Sequence, residues 1–95
     1  MVYEVVIQTV DPERRDEYVG VFRDALREAN FAGAHGGKIL RSIEDPARVI
    51  AIIEWDDVEA HTRHRGTPAH NRFRERFSGY QTAPSQGAHF IVEDL

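Results

Sequence analysis

The chain contains no cysteine. That excludes a disulfide framework, a zinc knuckle, a thiolate haem ligand and a cysteine nucleophile, and it fits a reducing compartment, so a cytoplasmic protein is expected. Long apolar runs are missing as well. The longest, VIAII at 49–53, falls far short of the roughly 20 residues that a membrane helix needs. The N-terminal MVYEVVIQTV lacks a basic n-region and alternates as a strand does, so it does not read as a targeting signal. Positive charge is in deficit: 12 Lys and Arg stand against 16 Asp and Glu, a net −4 at pH 7. Counterion release from nucleic acid needs the opposite balance, so no nucleic-acid partner is expected. No nucleophile elbow, phosphate loop or dinucleotide fingerprint is present, because the glycines of GAHGG do not open a helix after a strand.

What is there is an ordinary globular composition, 41% hydrophobic and 29% charged over 95 residues, which implies one domain, 1–95, of modest core. VYEVVIQT at 2–9 is β-branched and aromatic, with Tyr3, Val5 and Ile7 on one face and Val2 and Val6 on the other. Asp11 and Pro12 open a helix whose stripe of Tyr18, Phe22, Ala25, Leu26 and Ala29 runs to about residue 30. The glycines of FAGAHGG end it in a loop. GKILRSIE at 37–44 and RVIAIIEW at 48–55 flank a turn at EDPAR and form a hairpin. Asp56 with Glu59 reads as a capping box for a short helix that Gly66 stops. Thr67 and Pro68 restart it, with Ala69, Phe73 and Phe77 as the buried stripe. AHFIVEDL at 88–95 is the last strand.

The order βαββαβ predicts an α+β, ferredoxin-like domain with a four-stranded antiparallel sheet and both helices on one side. Strand 48–55 is apolar on both faces, yet two helices cover only one. Roughly six apolar side chains left wet, at about 1.5–3 kcal/mol each, would forfeit as much as a small domain's whole stability. A homodimer packed sheet to sheet is therefore expected.

Three of the five histidines lie within EAHTRHRGTPAH at 59–70. His61 and His64 share a helical face, and His70 follows the break at Gly66. The spacing has no HExxH pairing and no fourth ligand, so no metal is expected. Segment 57–66 has only Val58 and Ala60 as apolar residues, so it is no ordinary core helix. Either its histidines lie in water, or one of them points inward toward Trp55 and Phe73 and places a group that titrates near neutrality in an apolar hollow. Trp55 would need a partner for its indole N–H if buried. Arg63, Arg65, Arg72, Arg74 and Arg76 crowd one stretch, which is either a solvated face or a mouth that attracts anions.

GGKILRSIEDPARVIAIIEWDDVEAHTRHRGTPAHNRF resembles the central block of the antibiotic biosynthesis monooxygenase family in the dimeric α+β barrel superfamily. There an RS-x-EDP hairpin and a strand ending in EW lead to EAH and a TPAH-x-x-F helix. The resemblance implies one pocket per subunit and a cofactor-independent monooxygenase of quinol or anthrone type, in which the ionised small aromatic substrate itself reduces O2. By position Trp55 matches the tryptophan that ends the third strand, His64 the commonest histidine of the next helix and His70 the histidine before its aromatic. The chain departs from haem-degrading relatives, with Gln8 where they use Asn and His64 in place of their helical Trp, so no haem or other cofactor is expected. It departs from anthrone oxygenases near Ala51, where they carry Asn, so a polar network around His61, His64 and Tyr18 would have to take over. The expected catalytic residues are His64 as base with Trp55 and His61, and the expected substrate contacts are His70, Tyr18, Phe73 and Arg74. The alternative is a non-catalytic dimeric ligand-binding or stress-associated module of the same fold, with its pocket filled by Phe and Leu side chains.

Overall fold

The computed structural model describes all residues, Met1–Leu95. The strands β1 (Val2–Thr9), β2 (Ala34–Arg41), β3 (Arg48–Trp55) and β4 (Gln86–Phe90) form one sheet in the order β2-β3-β1-β4, every neighbour antiparallel. The helices are α1 (Arg15–Ala29), α2 (Val58–Thr62) and α3 (Pro68–Phe77). This is the expected α+β, ferredoxin-like plan. No helix is long and apolar enough to cross a membrane.

Alternation decides which side of the sheet is covered. Along β3, Val49, Ala51, Ile53 and Trp55 are buried, while Arg48, Ile50, Ile52 and Glu54 between them are only partly so. α1 and α3 press onto the buried side through an aromatic cluster in which Phe22 lies 4.9 Å from Phe77 and 5.7 Å from Phe73. Arg15 ties α1 to the hairpin, its guanidinium donating to the carbonyls of Ser42 and Asp45 at 2.8 and 3.2 Å.

Local structure corrects the sequence reading at four points. The first helix begins with a 3-10 turn, Pro12–Arg14, and ends at Asn30, which adopts φ 43°, so an Asn in the left-handed region closes it and not the glycines. β2 covers 34–41 in place of 37–44, and Gly37 sits inside it at an irregularity in the pairing with β3. There the Ile52 carbonyl oxygen passes 1.9 Å from where a Cβ would stand, so only glycine fits. α2 ends at Thr62, short of Gly66 and of His64, and Asp57, not Asp56, caps it by accepting the Ala60 N–H at 2.7 Å, while the Asp56 carboxylate meets the His35 side chain. β4 spans 86–90, and Ile91 and Val92 beyond it are 68% and 62% exposed. At α3 the expected Thr67 cap and Pro68 first turn are both in place.

Two glycines give opposite expectations. Gly37→Ala should lower stability by about 1–3 kcal/mol through overpacking. Gly20→Ala, in mid-α1 with nothing within 4 Å of the added methyl, should raise it by roughly 0.5–1 kcal/mol. Urea unfolding of both variants checks this, and equal effects would dismiss the steric account of Gly37.

Candidate active site

The helix layer is incomplete over one end of the sheet. α2 is only five residues long, Gly66 turns the chain at φ 77° before α3 begins, and Gly87 on β4 presents no side chain beside Val6. The gap is a cavity of about 350 Å3, within the range usual for small-molecule sites. Phe22, Leu26, Phe31, Ile53, Trp55, Phe73 and Phe77 supply its apolar walls. Glu4, Gln8 and His61 are polar residues inside it, and the exposed Arg65, Asn71, Arg74 and Ser85 form its mouth.

Glu4 stands on the covered face of β1, paired with Ile53 of β3 on one side and with His89 of β4 on the other. A carboxylate in such a place requires partners. The Trp55 indole N–H donates to its Oε1 at 3.1 Å, and His61 Nε2 lies 3.3 Å from its Oε2. His61 is 7% exposed, stacks on Trp55 with ring centroids 5.0 Å apart at 27°, and meets His89 Nε2 through Nδ1 at 2.8 Å. One proton arrangement satisfies the chain: His89 donates from Nε2 to His61 Nδ1, and His61 donates from Nε2 to Glu4. α2 is held close by Ala60, fully buried against Gly33, where an added Cβ would come within 2.8 Å of the Ala60 Cβ.

The electrostatics follow from this packing. Burial raises the Glu4 pKa above its ordinary value, against the lowering effects of the Trp55 bond, His89 and Arg65. Burial also pushes His61 down to about 4, helped by His89, Arg65, His70 and His64. His70, at the cavity's edge near Phe31 and Phe73, is lowered by burial, Arg74, His64 and Arg65.

Of the residues singled out in the sequence, Trp55, His61, His70, Phe73 and Arg74 meet at the cavity. His64 does not line it. Its ring lies 4.7 Å from Phe31 and 5.7 Å from Trp55, and its Nε2 donates to the Ala32 carbonyl at 3.0 Å. Tyr18 does not line it either: it is fully buried in the helix core, its hydroxyl donating to Gln8 Oε1, and burial raises its pKa. Glu4 and His89 escape the sequence reading. Parity carries a signal for Glu4, since it and Gln8 share a face with Val2 and Val6, but His89 is reached only through the β1–β4 register. No group of three or more His, Asp or Glu side chains converges as a metal site would; His61 meets Glu4 and His89 with opposite edges of its ring.

Residues 1–76 match the antibiotic biosynthesis monooxygenase family. The chain belongs to that family. Among solved structures, a candidate antibiotic biosynthesis monooxygenase from Bordetella bronchiseptica is 23% identical with a TM-score of 0.89, covering 97% of this chain and 96% of its own. SnoaB, a cofactor-independent oxygenase from Streptomyces nogalater, is 22% identical with a TM-score of 0.78, covering 99% and 94%. Another candidate antibiotic biosynthesis monooxygenase, from Nitrosomonas europaea, is 17% identical with a TM-score of 0.77, covering 97% and 98%. At such identities the likeness is one of fold. No curated protein matches the chain.

A depressed imidazole makes stability depend on pH. Between pH 6.5 and about 4 the unfolded chain takes up a proton at residue 61 that the folded chain refuses, so stability falls as pH falls through that window. His70 acts in the same direction and Glu4, with its raised pKa, in the opposite one. NMR titration should place the His61 midpoint near 4, and His61→Gln should make the acid-side fall in Tm shallower. A His61 midpoint near 6.5 would refute the assignment.

Proposed function

We propose that this protein is a cofactor-independent monooxygenase acting on a small phenolic, quinol-like or anthrone-like substrate, with Glu4 as the proton acceptor. The observation that carries the reading is the buried chain Trp55–Glu4–His61–His89 at the end of an aromatic cavity. Both ring nitrogens of His61 are taken by Glu4 and His89, whereas a carboxylate offers about four lone-pair sites. Two of those of Glu4 are engaged by Trp55 and His61, and the rest are free for a substrate proton. A carboxylate raised by burial is a better match to a weakly acidic phenol or activated methylene than an ordinary one.

The ionised substrate then gives one electron to O2, and the resulting radical pair joins at carbon. The peroxide takes a proton and loses water, so one oxygen atom stays in the product and the other leaves as water; the substrate loses two hydrogens overall. His61 and His89 act as positioning residues that fix the carboxylate. Aromatic walls exclude water and favour the flat substrate. The base role passes from His64, whose ring is turned away onto Ala32, to Glu4. His64, with Phe31, braces Trp55 from behind.

We further propose the sheet-to-sheet homodimer. The face of the sheet away from the helices carries Tyr3, Val5 and Ile7 beside Ile50 and Ile52, with Leu40 45% and Phe90 52% exposed at its edges. No element of the chain covers it.

Oxygen uptake with naphthohydroquinone and anthrone, above the spontaneous rate, tests the chemistry. Glu4→Gln should lose on the order of 100-fold, while His64→Ala should stay within a few-fold of wild type. Undiminished turnover in Glu4→Gln would remove Glu4 from the mechanism. For assembly, wild type should sediment as a dimer at micromolar concentration and Ile52→Lys as a monomer; a monomeric wild type would sink the interface.

A further inference from the structure

The reading of the cavity as a substrate site leaves its rim unexplained. Arg65, in the turn after α2, and Arg74, on α3, both line the cavity and are exposed. Neither guanidinium has an ion pair or hydrogen bond in the chain, whereas Arg14, Arg41, Arg48 and Arg76 are paired with Glu17, Asp16, Asp45 and Glu28; Arg23, Arg27 and Arg72 are also unpaired but do not line the cavity. In a chain of net charge −4, acids are plentiful for pairing, yet none is supplied here. The cavity's one acid is Glu4, at its inner end and already bonded to Trp55 and His61. Arg65 stands near enough to Glu4, His61 and His70, and Arg74 near enough to His70, to disfavour protonation of each. Two unpaired cations that crowd a histidine form an arrangement that an arriving anion relieves.

We infer that the cavity takes a flat aromatic acid, its rings between the aromatic walls and its carboxylate held at the mouth by Arg65 and Arg74. Both parts of the ligand follow from the lining. Phe31, Trp55 and Phe73 offer apolar ring faces and edges to a planar body. At the mouth, guanidinium forks match a carboxylate's two oxygens, with the amide of Asn71 as a further donor beside them. Placing the anion at the mouth keeps it away from the Glu4 carboxylate, so the group to be deprotonated is directed inward. The same positive rim draws anions toward the opening before contact, an effect that weakens with salt.

Calorimetric titration with 2-naphthoate and with its neutral analogue 2-naphthamide tests this. Wild type should bind the acid at least about tenfold more tightly, with the preference shrinking as salt rises. The double variant R65Q/R74Q should bring the two within about twofold while still unfolding in a single cooperative transition. Equal affinities in wild type, or a preference that survives R65Q/R74Q, would overturn the inference. Binding is read without turnover, so a protein that prefers the acid but takes up no oxygen with a dihydroxynaphthoate would defeat the oxygenase reading alone. Turnover of neutral quinols with no preference for the acid would defeat only the present one.

Discussion

A carboxylate on the covered face of β1, one of the two inner strands, is the constraint around which this molecule is arranged. An unpaired charge in such a place costs several kcal/mol, and the chain meets that requirement from three directions. Trp55 closes β3 with its indole N–H on Glu4, α2 lowers His61 onto the same carboxylate, and β4 brings His89 up behind His61. Each partner comes from an element that has little other core to make. α2 contributes only Ala60 and His61 to the interior, and β4 is a short edge strand. The polar network therefore fixes the peripheral pieces as well as furnishing the site.

The layout also divides labour between layers. Glu4, Trp55 and His89 stand on strands joined by a continuous ladder, so their spacing is set by backbone hydrogen bonds. Arg65, His70 and Arg74 stand on the turn and helix that roof the cavity. Residues suited to proton transfer are thus held by the stiffest part of the fold, and residues suited to choosing a ligand by the part that packs on top of it.

Much of this was legible in the sequence. The turn at EDPAR and the β-branched run that follows it gave β3 to the residue, and Thr67–Pro68 marked the start of α3 by side-chain chemistry alone. Errors arose where neighbouring residues offered the same chemistry. Asp56 and Asp57 are both able caps, and Asp57 takes the role while Asp56 is held by the Gly33 carbonyl through its N–H and by His35 through its carboxylate. The glycines at 36 and 37 read as a loop because a close backbone approach, invisible in one dimension, is what requires Gly37 within a strand. In the site, His61 and Trp55 could be found because they stand in a dense local motif. Glu4 and His89 come from opposite ends of the chain and meet only through strand register, and His64, equal to His61 in sequence terms, falls in the turn beyond α2, where its ring reaches the Ala32 carbonyl and not the cavity.

Gly66, with φ 77° and no neighbour within 4 Å of an added methyl, sits between the two helices that roof the cavity. Because that junction is unencumbered, insertions or altered residues around it can reshape the roof while the ladder below keeps its register. A scaffold of this kind lets descendants exchange ligands by rewriting one short connection, leaving the buried carboxylate where β1 put it.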